Sequence, residues 1–145
     1  MINKIKDYSN EELLDAFINF WDENDAVHAL SELSTRKHPR TEEFCKVVFE
    51  RGEFDEFDKG VGISIYYSYD QNRAIEYAKN NYKNWHIITL GKLISELRQD
   101  SEQENSEKKK ELIKLLKAHL KTLKRSEITE IQDDFDAFMK AYKSV

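Results

Sequence analysis

Apolar positions recur at helical spacing along most of the chain. Leu13, Leu14, Phe17, Ile18 and Trp21 follow Ser9-Asn10-Glu11-Glu12, where Ser9 and Glu12 have capping-box spacing, and this predicts a helix over about 10–22. Ala26, Val27, Leu30 and Leu33 predict the next over 25–36, stopped ahead of Pro39, which disfavours helix in the residue before it. Phe44, Val47 and Val48 predict a third over 41–51, closed by Gly52. Residues 61–69 are ambiguous, because Ile63, Ile65, Tyr67 and Tyr69 alternate as a strand would. Beyond them, Ala74, Ile75 and Ala78 predict a helix over 72–81. Ile87, Ile88, Leu90, Ile94 and Leu97 predict another over 85–99. Residues 100–107 contain no apolar side chain and read as a solvated connection. Leu112, Ile113, Leu116, Leu120 and Leu123 share one side of a helix over 107–124. Ile128, Ile131, Phe135, Phe138, Met139 and Tyr142 mark a last one over 126–143.

One turn occurs twice. Residues 22–27 read Asp-Glu-Asn-Asp-Ala-Val and residues 70–75 read Asp-Gln-Asn-Arg-Ala-Ile, a shared D-x-N-x-A-[VI] at a spacing of 48. Each copy follows an apolar-aromatic run and precedes a helical pattern, and Asp at the turn is a competent N-cap. Val61 to Tyr69 aligns without a gap on Leu13 to Trp21, which resolves the ambiguous stretch as a helix over 57–69. The period lies close to that of HEAT and armadillo repeats. The expected fold is therefore all-α: a helical-repeat, HEAT/armadillo-like, right-handed stack of about eight helices. It forms a single domain over 1–145, with two units of about 48 residues within 9–99. A polar connection over 100–107 follows. With no third copy of the turn near residue 118, a C-terminal helical hairpin over 108–145 is expected to cap the stack.

Composition supports this. The chain has 4 Gly and 1 Pro, too few for the turns of an all-β fold, and its 35% charged residues suit helices with much of their surface in water. Its 1 Cys, Cys45, excludes an internal disulfide framework. The first residues lack the apolar core of a signal peptide and no run reaches the length of a membrane span, so a cytoplasmic protein without membrane association is expected. The net charge of −5 is uneven. Residues 1–105 carry 13 Lys/Arg against 21 Asp/Glu, and residues 106–145 carry 10 against 7. An acidic body favours basic partners over nucleic acid.

No motif specifies a reaction. His28, His38, His86, His119 and Cys45 lack zinc spacing. Residues 55–60 begin like an EF-hand loop, but Phe57 and Lys59 fall at liganding positions and Tyr66 stands where the bidentate Glu belongs. Gly60-Val-Gly62 is a lone G-x-G with no third glycine. Cys45, between Phe44 and Val47, reads as a packed thiol, not a nucleophile. Asp55, Glu56 and Asp58 read as a solvated acidic loop before they read as an acid–base pair. No metal, no cofactor and no enzymatic activity are expected.

Two surfaces remain. Lys110, Lys114, Lys117, Lys121 and Lys124 fall on one helical face, extended by Lys108, Lys109 and Arg125. Such a face can track phosphates, but it is equally the solvated side of an amphipathic helix. The second surface is acidic and aromatic. If matched turns line one edge of a stack, Trp21, Asp22, Glu23 and Asp25 of the first copy join Tyr69 and Asp70 of the second, with Tyr66 nearby. The 53–58 loop adds Glu53, Asp55, Glu56 and Asp58. Aromatic side chains anchor a protein partner and carboxylates steer a basic one. The alternative is that the aromatics are core and the acids are caps. Glu23 and Asp25 face Gln71 and Arg73 in the second copy, so the first turn and the loop are the stronger binding candidates.

The chain resembles the small helical-repeat immunity proteins of bacterial polymorphic or contact-dependent growth-inhibition toxin systems. The resemblance rests on residues 70–81, Asp-Gln-Asn-Arg-Ala-Ile-Glu-Tyr-Ala-Lys-Asn-Asn, on the Trp85-to-Leu97 helix and on the first copy of the turn, and it spans about residues 10–99. It implies an antitoxin that binds a cognate toxin domain, often a basic nuclease, with no cofactor and no catalytic residues. It fixes no contact residues; those named above come from charge.

Overall fold

Side chains that accept a first free backbone N–H set several of the helix starts in this chain. The computed structural model describes residues 5–101 and 106–145, of Glu23 the backbone alone. Among these residues the protein is all-helical, with no strand. The α-helices are α1 (Asn10–Ile18), α2 (Glu23–Thr35), α3 (Thr41–Glu50), α4 (Glu56–Tyr69), α5 (Gln71–Asn81), α6 (Ile87–Gln99), α7 (Glu107–Leu120), α8 (Arg125–Glu130) and α9 (Gln132–Ala141). Short 3-10 turns cover Ile5–Asp7 and Tyr82–Asn84. Residues 61–69 are helical, as the repeat required. Residues 102–105, the centre of the expected polar connection, lie outside the described residues, as do residues 1–4.

Ser9 and Glu12 form the expected capping box, at 3.1 and 2.8 Å. Both copies of the repeated turn act alike. Asp22 accepts from the Asp25 N–H at 2.8 Å and Asp70 from the Arg73 N–H at 3.2 Å. The Ala-[VI] pair that follows is core each time: Ala26, Val27, Ala74 and Ile75 are all buried. The repeat is therefore one local solution used twice, a capping aspartate four residues ahead of a small side chain that packs inward.

Packing divides the chain at the second copy, into Met1–Tyr69 and Asp70–Val145. In the first unit α1 packs on α2, α2 on α4, and α3 on α4. Arg36 ties the start of this unit together, donating to Glu32, to Asn10 Oδ1 and to the carbonyl of Lys6, each at 2.9 Å. In the second unit α5 packs on α7, and α6 on α8 and α9. The third helix of the second expected repeat, α6, is thus built into the same core as the C-terminal helices.

Three helices differ from the sequence expectation in length, among them α7, which ends at Leu120 and not near 124. The first ends at Ile18, not near 22, in a Schellman turn: the Trp21 N–H donates to the Ala16 carbonyl and the Phe20 N–H to that of Phe17. Phe20, at φ 49°, occupies the left-handed position that glycine usually fills, so the sequence carries no stop signal there. The last expected helix is two, which makes nine α-helices among the described residues instead of eight. It breaks at Ile131, whose φ of −124° and ψ of 27° are not helical.

The break has a packing reason. It seats Ile131 over Gly91 of α6, where an added Cβ would lie 2.6 Å from Ile131 Cγ2. That methyl sits on a β-branched side chain with little freedom at χ1. Gly91→Ala is therefore expected to destabilise the protein by about 1–2 kcal/mol, the overpacking cost outweighing a helix-propensity gain of about 1 kcal/mol. Chemical denaturation measures it. A more stable variant would show that Ile131 moves aside freely.

Candidate functional site

A column of aromatic rings in the first unit determines where the acidic residues lie. Phe17 stacks on Phe44 at 4.4 Å between centroids and lies 6.0 Å from Phe54. Phe54 meets the edge of Phe20 at 5.2 Å. The Arg51 guanidinium covers Phe20 and Phe54 at 5.3 and 5.9 Å, and grips Glu53 through two hydrogen bonds of 3.0 and 3.3 Å. The Phe20–Phe54 contact brings the first turn and the 53–58 loop together. These are the two segments that charge alone had singled out.

Phe20 holds its positive φ because the Schellman turn and its ring contacts fix it there. The left-handed conformation costs an ordinary residue about 1–2 kcal/mol. The next residue, Trp21, is 46% exposed yet held at both ends. Its indole N–H donates to Asp15 Oδ2 at 2.8 Å, and its ring lies 6.1 Å from that of Tyr8, edge-on. Asn19 donates to the other oxygen of Asp15. Asp22 follows, exposed and capping α2. Asp25 lies one turn on, its carboxyl raised above the usual aspartate value by partial burial and by the negative charge of Asp22. The Glu23 side chain lies outside what is described.

In the loop, Asp55 and Asp58 cap α4 reciprocally. Asp55 Oδ1 accepts from the Asp58 N–H at 2.9 Å, and Asp58 Oδ2 from the Asp55 N–H at 3.3 Å. Glu53 is held below the usual glutamate range by its hydrogen bonds to Arg51. Glu56 is half-buried, and Phe57 projects with 68% of its surface exposed. Two aromatic candidates sit differently. Tyr66 is 1% exposed and donates to Glu42 Oε2 at 2.5 Å, which removes it from any contact surface. Tyr69 is half-exposed, its hydroxyl donating to the His38 carbonyl at 3.2 Å with Lys37 over its ring at 5.7 Å. Asp70 belongs to the second unit, where it caps α5.

The basic stripe does not survive as one face. The helix ends at Leu120, so Lys121 and Lys124 stand in the turn and at the start of α8. Lys117 donates to the carbonyls of Tyr142 and Val145 at 3.0 and 2.7 Å. Lys109 is buried. Lys110 and Lys114 remain on the outer side of α7, with Lys110 3.7 Å from Glu107. Cys45 is buried in the core, its thiol pushed up to about 12 by burial and by Glu42, which suits packing and not nucleophilic chemistry. Among the described residues no group of three or more His, Cys, Asp or Glu side chains is placed to hold a metal ion, and no helix is long and apolar enough to cross a membrane.

Sequence reasoning missed Asp15, whose carboxylate fixes Trp21 across six positions, and Phe20, read only as part of an apolar run. Ile18 and Trp21 stand among the apolar positions at helical spacing, yet each is 46% exposed, which for Trp21 agrees with its place on the candidate binding edge. Compared with known proteins, the chain matches no family model, no curated protein and no solved structure.

Proposed function

We propose that the chain is a non-enzymatic binding protein of the immunity type, which captures a basic toxin domain at the acidic corner of its first unit. One observation carries the reading. Asp22 and Asp25 are neighbouring carboxylates at the start of α2, the Asp25 carboxyl raised first by partial burial and then by the charge of Asp22, and beside them an exposed tryptophan is hydrogen-bonded to Asp15 in one orientation. A cation arriving there relieves the repulsion. A held aromatic ring gives binding area at little entropic cost. In a nuclease toxin the cation would be a lysine or arginine that otherwise holds substrate phosphate, so the carboxylates stand in for the nucleic acid. The dispersal of the lysine stripe weighs against direct nucleic-acid binding by this chain.

The test is calorimetric titration with the purified product of the gene neighbouring this one, together with an assay of that product for toxin activity. Trp21→Ala is expected to weaken binding by about 2 kcal/mol, roughly thirtyfold. Asp25→Asn is expected to lower the association rate and flatten its dependence on salt, since it removes a steering charge but no cap. A neighbouring product that neither binds nor is inhibited would overturn the proposal.

A further inference from the structure

Helix α4 presents a second surface. Residues 60–69 of this helix carry no charged side chain, and a stretch that is apolar all round is ordinarily covered all round. The inner face of α4 carries Gly62, Ile63, Tyr66 and Tyr67, and Gly62 lets it approach Val48 of α3 so closely that an added Cβ would lie 3.3 Å away. Yet Phe57 and Val61, one turn apart on the outer side, are 68% and 39% exposed. Ser68 continues the same face and is exposed too. No charged side chain stands at these positions. The 53–58 segment at the N-terminal end of α4 carries Glu53, Asp55, Glu56 and Asp58, four carboxylates against the two cations Arg51 and Lys59, with Glu53 paired to Arg51 and Asp55 and Asp58 capping the helix.

We propose that an amphipathic helix of the basic partner lies along this face, its apolar residues on Phe57 and Val61 and its lysines or arginines toward the 53–58 carboxylates. The acidic rim selects that occupant. A second copy of this chain would bring like charges together, and an anionic membrane or nucleic acid would be repelled. This rests on the proposed basic partner and adds a helix-binding face next to the acidic corner.

The probe is a synthetic amphipathic helix of leucine and lysine, labelled for fluorescence anisotropy, with a leucine–glutamate twin as charge control. The wild-type chain is expected to bind the lysine peptide and not the twin. Phe57→Ser/Val61→Ser, both exposed positions, is expected to leave the helical circular dichroism unchanged and to weaken binding about tenfold or more. Unchanged affinity in that double variant would overturn the inference, as would equal binding of the twin, no binding of either peptide, or a wild-type dimer that the variant dissolves. Asp25→Asn separates the two proposals. If it abolishes binding while the serine variant does not, the acidic corner stands and the α4 face falls.

Discussion

Asp100→Ala is expected to cost about 3–5 kcal/mol of stability, since it strands a buried ammonium. The Lys109 side chain is 2% exposed, and its Nζ lies 3.0 Å from Asp100 Oδ2 and 3.2 Å from the Asp100 carbonyl. The face of the Tyr142 ring lies 5.8 Å from the same nitrogen. Asp100 also accepts from Gln71 Nε2 at 2.8 Å, and Tyr142 donates to the Leu97 carbonyl. One carboxylate thus links α5, the end of α6 and the first turn of α7. With alanine, a carbonyl dipole and an aromatic face are left to hold a full charge, which neither can do. The melting temperature should fall by about 10 °C or more. Hydrogen exchange should rise in α6, α7 and α9, not in the first unit. Lys109→Met/Asp100→Leu is the control: replacing both charges with apolar groups of similar size is expected to recover most of the loss, as buried pairs commonly allow. A single variant within about 1 kcal/mol of wild type would show that water reaches Lys109.

That ion pair also shows where the sequence was readable and where it was misread. Lys109 precedes Leu112, Ile113, Leu116 and Leu120 by three, four, seven and eleven positions, so helical spacing places it on the apolar face. Counting it with the exposed lysines weighed its charge above its position. The helix starts were legible, because capping depends on a few local side chains: Ser9, Asp22 and Asp70 all cap as their positions implied. The repeated turn was legible for the same reason, and it fixed 61–69 as helix against a strand-like pattern. The stops were not. Phe20 fills a glycine's position and Ile131 breaks a helix without Gly or Pro nearby, each held by packing from elsewhere in the fold. At the candidate site, composition found the acidic segments and the exposed tryptophan. It did not reveal that Asp55 and Asp58 cap α4, or that Glu53 is paired with Arg51, because those roles depend on where α4 begins and where Arg51 points. The acidic segments are thus partly committed to the fold, Asp22, Asp55 and Asp58 as caps and Glu53 to Arg51, while Asp22, Glu53 and Asp55 stay exposed beside Trp21 and Phe57 in sequence.

Phe17→Ala is expected to be comparably damaging, at about 3–5 kcal/mol, and to act on the site as well as on the fold. Phe17 is 1% exposed and lies between Phe44 and Phe54, so removing its ring opens a cavity at the centre of the aromatic column. Phe54 then loses its support on one side, and Phe20, which leans on Phe54, loses the contact that helps hold it at positive φ. Trp21 is the next residue along. The variant should therefore show a weaker near-ultraviolet signal from its tryptophans under conditions where its helical signal is intact, because the ring of Trp21 is no longer fixed in one asymmetric setting. Phe17→Leu keeps most of the volume and should cost about 1–1.5 kcal/mol. Phe17 and Phe54 touch, so their alanine variants should not add; a double-mutant cycle should return a coupling of about 0.5–3 kcal/mol. Additive losses, or a Phe17→Ala cost below about 1 kcal/mol, would mean that the column does not carry the first turn. The orientation of Trp21 would then rest on Asp15 and Tyr8 alone.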